Sequence, residues 1–158
     1  MKNGIDIAME RIADDLLALS ALVLEDDTVS ANRKTLENTL RDSQLRDDLF
    51  ATVSQTTGDD PVVTAFFNNY VVFLEWDRPP KYGYPPPIDA LVDWASKRGI
   101  PTDNETLYAI RHAIWRDGHE GRPIFATISR ESEKLFEEEW GPWLFEAIIE
   151  DLTKYFNT

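Results

Sequence analysis

The stretch NGIDIAMERIADDLLALSALVLE, residues 3–25, is the strongest structural signal in the sequence. Its apolar side chains recur at alternating intervals of four and three residues, which is the repeat of one helix face; they are Ile5, Met9, Ile12, Leu16, Leu19 and Val23. The pattern predicts a long amphipathic helix. Its apolar face either packs on the chain's own sheet or docks on a neighbouring subunit, because the same spacing forms the seam between paired helices.

A β-rich region follows this helix, after a polar stretch at residues 26–46 that we interpret as a loop with room for one helical stretch. Residues 62–76 read VVTAFFNNYVVFLEW, and their β-branched and aromatic composition is typical of strands. Asn68-Asn69 would divide them into two short strands. Residues 45–57 also become β-like, and Thr57-Gly-Asp-Asp-Pro61 is a strong turn signal. Residues 45–77 are therefore predicted to form a small antiparallel sheet.

A proline-rich stretch, RPPKYGYPPP at residues 78–87, comes next and contains five of the nine prolines. Proline fixes φ and lacks an N–H, so this stretch is predicted to be an extended loop. One interpretation is a stiff connector between sheet and helix. The other is an arm that lies on a partner, with Lys81, Tyr82 and Tyr84 as contacts, because pre-ordered extended segments lose little entropy on binding.

The remainder, residues 88–156, is predicted to be mainly helical. A short helix covers 88–97 and ends at Arg98-Gly99. A second starts at the capping-box sequence Thr102-Asp-Asn-Glu105, covers 103–116 and stops at Asp117-Gly118. A last helical region runs from about Ser129 to Phe156 and is broken near Gly141-Pro142.

The predicted fold is a single α+β domain over residues 1–158. A small antiparallel sheet of three or four strands packs against the long N-terminal helix, and two short helices and a C-terminal helix complete the core. A chain of 158 residues is long enough to bury such a core.

The charge balance is strongly acidic, with 29 Asp and Glu against 16 Lys and Arg, a net charge of −13. An acidic chain repels phosphate, so a nucleic-acid binder or an anionic-membrane binder is disfavoured. The absence of cysteine excludes disulfides and thiolate metal sites. The N-terminus does not resemble a signal peptide, and no apolar run approaches the ~20 residues of a membrane span. We expect a protein that stays in the cytoplasm unless an assembly carries it elsewhere.

Catalytic chemistry finds little support in the sequence. His112 and His119, the only histidines, are seven residues apart, which is not the spacing of a helical metal-ligand pair. No serine lies in a Gly-x-Ser-x-Gly elbow. Glu75 and Asp77 flank Trp76, and such an acid pair can hold Mg²⁺ in a nuclease, but the basic catalytic partner expected beside them is not evident, and the acidic total argues against gripping DNA. We therefore predict no enzyme activity and no cofactor.

Four short motifs lie in this order between residues 62 and 128: Tyr70-Val-Val-Phe-Leu-Glu-Trp76 followed by Arg78-Pro79, the segment from Pro85 to Ile100 with Trp94 and Lys97, Tyr108-Ala-Ile110 with Ile114, and Gly118-x-x-Gly-Arg-Pro-Ile-Phe125. Together they resemble motifs of one protein family, the head–tail joining or tail completion proteins of long-tailed bacteriophages. Asp77 stands where a glycine is common in that family, and Ile124 where an aromatic residue is common.

The resemblance implies a structural subunit that self-associates into a ring in the virion neck or tail and contacts other neck or tail proteins. DNA would pass through the ring without specific binding, and a negative wall would not trap it. The chain would belong to the virion, and to the host cytoplasm during assembly, with no membrane contact. The interface candidates are Ile5, Met9, Ile12, Leu16, Trp76, Lys81, Tyr82, Tyr84 and Arg122.

Two questions stay open at this point. Arg122 either hydrogen-bonds carbonyls of its own loop or pairs with an acidic neighbour across an interface, for which its planar guanidinium is suited. The alternative function is a small acidic binding protein, such as an inhibitor that mimics DNA and occupies a basic enzyme cleft.

Overall fold

The computed structural model describes residues 3–54, 61–68 and 71–157, apart from the side chains of Gln44 and Phe73. The fold is α+β, as predicted, with a long N-terminal helix, a small antiparallel sheet and a C-terminal helix. In chain order the elements are α1 (Gly4–Glu25), α2 (Asp27–Ser30), α3 (Gln44–Asp47), β1 (Phe50–Ser54), β2 (Val62–Phe66), α4 (Val71–Glu75), α5 (Ile88–Lys97), α6 (Asn104–Asp117), α7 (Ile124–Leu135), a π-helical turn (Phe136–Trp140) and α8 (Gly141–Phe156).

The chain forms two compact units. Unit 1 contains Met1–Ala21, Leu49–Phe66 and Ala126–Thr158, and unit 2 contains Leu22–Asp48 and Phe67–Phe125. Each unit has its own cluster of buried apolar side chains.

The core of unit 1 lies where α1 meets the sheet and α8. Met9, Ile12 and Trp140 are buried at its centre, and each fully buried side chain of this size contributes roughly 1.5–3 kcal/mol. The partly buried side chains around them come from α1, both strands and the C-terminal helices; they are Ile5, Leu16, Val53, Val63, Leu135, Trp143 and Leu144. The predicted packing of the N-terminal helix on the sheet is therefore confirmed.

The N-terminus of α1 is capped by a residue far along the chain. The Asp151 carboxylate accepts hydrogen bonds from the backbone N–H groups of Gly4 and Ile5, at 3.0 and 3.2 Å. The first N–H groups of a helix have no intrahelical partner, and an acidic side chain there also complements the helix dipole. The cap thus joins α1 to α8 within unit 1.

The core of unit 2 is the pair formed by α5 and α6. Leu91, Ala95 and Leu107 are buried between them, and the flanking apolar side chains are Ile88, Trp94, Ile100, Ile110 and Ile114. The predicted bounds of α5 are confirmed. Helix α6 starts one residue later than predicted, because Asp103 is the N-cap and accepts from the Thr106 N–H at 3.1 Å.

The sheet is smaller than predicted. Within the described residues it has two antiparallel strands, β1 and β2, in a register that places Phe50 opposite Phe66. Residues 45–47 and 71–75, both assigned to the β-rich region from composition, are helical and belong to α3 and α4. The turn predicted at 57–61 lies, except for Pro61, outside the described residues.

Helix α4 shows why composition was misleading there. Val71 and Leu74, three residues apart, are buried, whereas Val72 is 58% exposed. This is the burial period of a helix, and strand preference is easily overridden by packing. The Val71 N–H starts the helical turn by donating to the Asn68 carbonyl at 3.0 Å.

The last helical region also differs from its prediction. It begins at Ile124, five residues before Ser129. The expected break at Gly141-Pro142 is instead a π-helical turn, in which the Gly141 N–H donates to the Phe136 carbonyl. Pro142 has no N–H to donate, so the helical hydrogen-bond pattern must change at this point.

Candidate interaction surface

The segments 74–78 and 118–125, which carry two of the four family-like motifs, lie side by side in unit 2. Arg78 and His119 form an isolated antiparallel bridge, with backbone hydrogen bonds of 2.8 and 3.0 Å. The Arg122 N–H donates to the Leu74 carbonyl at 2.7 Å. These residues are 41 to 48 positions apart in sequence, so the contact gives unit 2 a long-range backbone link.

The acid pair Glu75 and Asp77 stabilises this link. The buried Glu75 carboxylate accepts from the Phe125 N–H at 2.8 Å, in the first turn of α7. The Asp77 carboxylate accepts from the Gly121 N–H at 2.6 Å. Both acids thus bind backbone donors of the second segment, and Asp77 holds the turn in a way that the glycine common in the family could not.

Two glycines make the close approach possible. A Cβ at Gly118 would lie 2.3 Å from the Arg78 carbonyl oxygen, and Gly118 also has φ +68°. A Cβ at Gly121 would lie 2.5 Å from the Glu75 carbonyl oxygen. No side chain fits at such distances, so the Gly-x-x-Gly spacing is required by the neighbouring backbone.

Arg122 binds inside its own unit. Its guanidinium donates to the Ser30 carbonyl at 3.2 Å, and Ser30 is fully buried. The Ser30 hydroxyl in turn donates to the Val23 carbonyl at 2.6 Å. The geometry therefore gives Arg122 a structural role that joins the start of α7 to the end of α1, and its predicted interface role stays a prediction.

The proline loop, residues 78–87, is held by backbone-directed hydrogen bonds. Trp115 of α6 uses two groups: its carbonyl accepts from the Lys81 N–H at 2.7 Å, and its indole N–H donates to the Gly83 carbonyl at 3.0 Å. The Arg78 guanidinium donates to the Tyr84 carbonyl. Arg111 donates to the carbonyl of the buried Pro86 at 2.8 Å. These bonds fix the loop backbone along its length.

The aromatic side chains of this region point away from the protein. Tyr82, Tyr84 and Trp76 are 68%, 84% and 71% exposed. Lys81 is exposed as well. Its backbone has φ +62°, in the left-handed region that residues other than glycine rarely adopt. Trp76, Lys81, Tyr82 and Tyr84 together form what we call the loop surface: rigid backbone with solvent-exposed aromatic groups.

A cavity of about 450 Å³ lies behind the loop within unit 2. It is lined on the loop side by Pro79 and Pro86 and on the helix side by Trp94 and Trp115. The loop therefore does not rest on a densely packed core, and its position depends on the directional hydrogen bonds given above.

His119 is half-buried beside this cavity. Burial of the imidazole lowers the pKa of His119 below its usual value, and the guanidinium groups of Arg122 and Arg78 lower it further. A hydrogen bond with the Glu120 carbonyl and the nearby Asp77 act in the opposite direction. The neutral imidazole is the form that the fold favours.

The α1 candidates lie in the interior of unit 1. Met9 and Ile12 are buried and Ile5 and Leu16 are partly buried, all against Trp140 and its neighbours. The apolar stripe of α1 is thus covered by the chain itself, which corresponds to the interpretation in which the helix packs on its own sheet.

Sequence reasoning missed an exposed apolar face on α8. The apolar residues from Trp143 onward fall on two sides of the helix, which the prediction of one helical region from Ser129 to Phe156 does not distinguish. The signal was present in the sequence: Phe145, Ile148, Ile149, Leu152, Tyr155 and Phe156 follow a helical repeat of their own, offset from Trp143, Leu144 and Ala147.

Among the described residues, no group of three or more His, Asp or Glu side chains converges closely enough to hold a metal ion. His112 is exposed on α6, with its ring 5.6 Å from that of Trp115. No helix of the described part is both long and apolar enough to cross a membrane.

No family model matches the chain, and neither a curated protein sequence nor a solved structure is significantly similar to it. The resemblance to phage tail completion proteins therefore rests on the four sequence motifs alone.

Proposed function

We propose that the chain is a structural virion assembly protein, a ring subunit at the head–tail joint or tail end of a long-tailed bacteriophage. It acts by contact with copies of itself and with other neck or tail proteins. Two things support the proposal. The first is the resemblance of the four motifs, and the second is the loop surface, whose exposed aromatic side chains indicate that the protein binds other proteins.

The loop surface has the physical properties of a binding site for protein. Its backbone is fixed by Trp115, Arg78 and Arg111, so little conformational entropy remains to be lost when a partner binds. Its exposed groups are two tyrosines and a tryptophan, the residue types most enriched at interface hot spots. A stiff connector alone would not need three exposed aromatic side chains.

The net charge of −13 fits a position around a DNA channel. Attraction between a basic wall and phosphate would slow the passing duplex, whereas an acidic wall lets it move. The triplet Glu137-Glu138-Glu139 is exposed in the π-helical turn and is a suitable part of such a wall. DNA is thus a passing molecule in this proposal and not a ligand.

The proposal is tested in particles of the virus whose genome encodes the chain. Antibodies against the chain should label the neck or tail end of purified virions in electron micrographs, and deletion of the gene should leave heads and tails unjoined or tails of abnormal end structure. Intact virions that contain none of the polypeptide would refute the proposal and would favour the acidic inhibitor instead.

A loop variant tests which surface is responsible. Tyr82→Ala with Tyr84→Ala should fold as the parent does, because both side chains are exposed, but should lower particle yield roughly ten-fold or more through loss of hot-spot contacts. Tyr108→Ala is the matched control, since Tyr108 is an exposed tyrosine of the same unit outside the loop. Equal yields from the two variants would exclude the loop surface as the contact.

A further inference from the structure

Helix α8 has two apolar faces. On one face, Trp143 and Leu144 pack against the core of unit 1, and Ala147 is buried. The other lies on the opposite side, between 42% and 77% exposed at each position. We call it the α8 stripe; it consists of Phe145, Ile148, Ile149, Leu152, Tyr155 and Phe156.

The α8 stripe is large and follows a regular helical repeat. Its members recur at intervals of three and four residues over three turns, which is the pattern of a helix face that contacts another helix. With an aromatic side chain offering roughly 150–250 Å², the stripe exposes on the order of 600 Å². That is near the upper limit for the largest apolar patch of a typical monomer and approaches the ~800 Å² per partner of a standard interface.

The order of side chains along the stripe suits a second copy of the same helix. Aromatic residues lie at both ends, and aliphatic residues lie in the middle. When a second copy is laid antiparallel about a two-fold axis between residues 150 and 151, Phe145 faces Phe156 of the other copy and Ile149 faces Leu152, while Ile148 comes level with Thr153 and Tyr155 with Glu146. We propose that two copies of this chain pair antiparallel through the α8 stripe. Such a two-fold interface is the commonest kind in homo-oligomers.

The charges on α8 are compatible with this pairing. Glu150 and Lys154 form an ion pair at 2.9 Å on the side of the helix away from the stripe. The Asp151 carboxylate accepts hydrogen bonds from the Gly4 and Ile5 N–H groups of its own unit. Of the residues that border the stripe, Leu144 and Thr153 are uncharged, and Asp151 is engaged in capping α1. The net charge of each copy and the carboxylates of Glu146 and Asp151 oppose association, and salt screens this repulsion.

The inference stands on the exposure and sequence of α8 and does not rest on the phage proposal. A two-fold pair is also a different contact from the head-to-tail contacts that close a ring. Loss of the loop surface should therefore leave the α8 pair intact, and loss of the α8 stripe should leave the loop surface intact.

The oligomeric state of the purified full chain tests the proposal. Sedimentation velocity over roughly two orders of magnitude in protein concentration should show a reversible change from the 18.1 kDa monomer to twice that mass. Added salt should shift the equilibrium toward the dimer. A protein that stays monomeric throughout, or that forms another oligomer, would overturn the proposal.

Charge substitutions locate the interface. Ile149→Glu with Leu152→Glu should raise the dimer dissociation constant roughly 100-fold or more, because two charges would be buried without partners. Lys154→Glu is the matched control: it changes the net charge by the same two units, on the same helix, away from the stripe. Unchanged folding of both variants is checked by circular dichroism. Equal effects of the two on dimerisation would refute the interface.

Single cysteines determine the orientation, because the chain contains none. A mixture of Phe145→Cys and Phe156→Cys chains should oxidise to the mixed disulfide. In the antiparallel pair two copies of residue 145 are about 16 Å apart along the axis, beyond the ~7 Å that a disulfide spans between Cα atoms. Preferential linkage of 145 to 145 would contradict the antiparallel arrangement.

Discussion

Arg122 makes a long-range contact that neither interpretation from the sequence includes, a hydrogen bond from its guanidinium to the Ser30 carbonyl. A guanidinium that binds a buried carbonyl cannot be replaced without leaving that carbonyl unsatisfied. The Ser30 carbonyl is in this position, since Ser30 is fully buried and lies 92 residues away in sequence. A variant such as Arg122→Glu is therefore expected to disturb the fold as well as any interface, which makes it a poor probe of assembly.

Replacement of Arg122 by alanine should lower the free energy of unfolding by about 1–3 kcal/mol, the cost of an unsatisfied buried acceptor. Arg130→Ala should change it little, because Arg130 is largely exposed and its ion pair with Glu131 is long, at 3.5 Å. Chemical denaturation of the three proteins measures the difference. Equal stability of the Arg122 variant and the parent would show that the Ser30 contact contributes nothing.

His119 should make the stability of the protein depend on pH. Its folded pKa is depressed, so the unfolded chain binds more protons in the window between the folded pKa and the unfolded value of about 6.5. The stabilisation is complete above pH 6.5 and is lost as the pH falls through the folded pKa. Denaturation midpoints at pH 7.5 and at about pH 5.5 should differ less for His119→Gln than for the parent. An identical pH dependence would exclude His119 as the cause.

At the scale of elements, the link between segments 74–78 and 118–125 is the feature on which unit 2 depends. Each segment alone is short, and helix α4 has only five residues. Together they exchange backbone hydrogen bonds and side-chain caps from Glu75 and Asp77. The two backbones can approach closely because Gly118 and Gly121 have no Cβ. Substitution of one of these glycines therefore tests how closely the two segments lie.

Gly118→Ala and Gly83→Ala form a matched pair for this test. The two glycines have nearly equal φ, +68° and +65°, but a Cβ at Gly118 would lie 2.3 Å from the Arg78 carbonyl oxygen, whereas at Gly83 nothing lies within 4 Å. Both variants place a side chain at positive φ. Gly118 also has ψ −173°, a combination that is essentially restricted to glycine, so Gly118→Ala should lose about 1–3 kcal/mol more than Gly83→Ala through backbone strain and overpacking. Equal losses in thermal or chemical unfolding would mean that the segments are not in close contact.

At the scale of the whole molecule, the sequence predicts local periodic features well and long-range partners poorly. The stripe of α1, the ends of α5 and α6 at glycine and the proline loop follow from neighbouring residues, and all three agree with the structure. The helical state of residues 71–75 depends instead on contacts with residues 122 and 125. No local pattern contains that information, because strand-forming composition describes only what a segment prefers in isolation.

The candidate site likewise has one part that the sequence predicts and another part that it does not. Tyr82 and Tyr84 were identified because prolines around them force an extended, exposed backbone. The supports of that loop, Trp115 and Arg111, were not identified, since they belong to a helix 25 or more residues away. The α8 stripe was overlooked because two overlapping helical repeats in one segment appear as a single apolar region unless each position is assigned to a face.

The π-helical turn at Phe136–Trp140 has a consequence for which residues reach the interior. The buried or partly buried positions of α7 include Ile128 and Leu135, and an uninterrupted α-helix would next turn Glu139 and Pro142 inward. The turn accommodates one additional residue, so Trp140 and Trp143 take those places and the three glutamates remain in water. A local change of helical phase by a single residue thus decides that tryptophan, and not glutamate, fills the centre of unit 1.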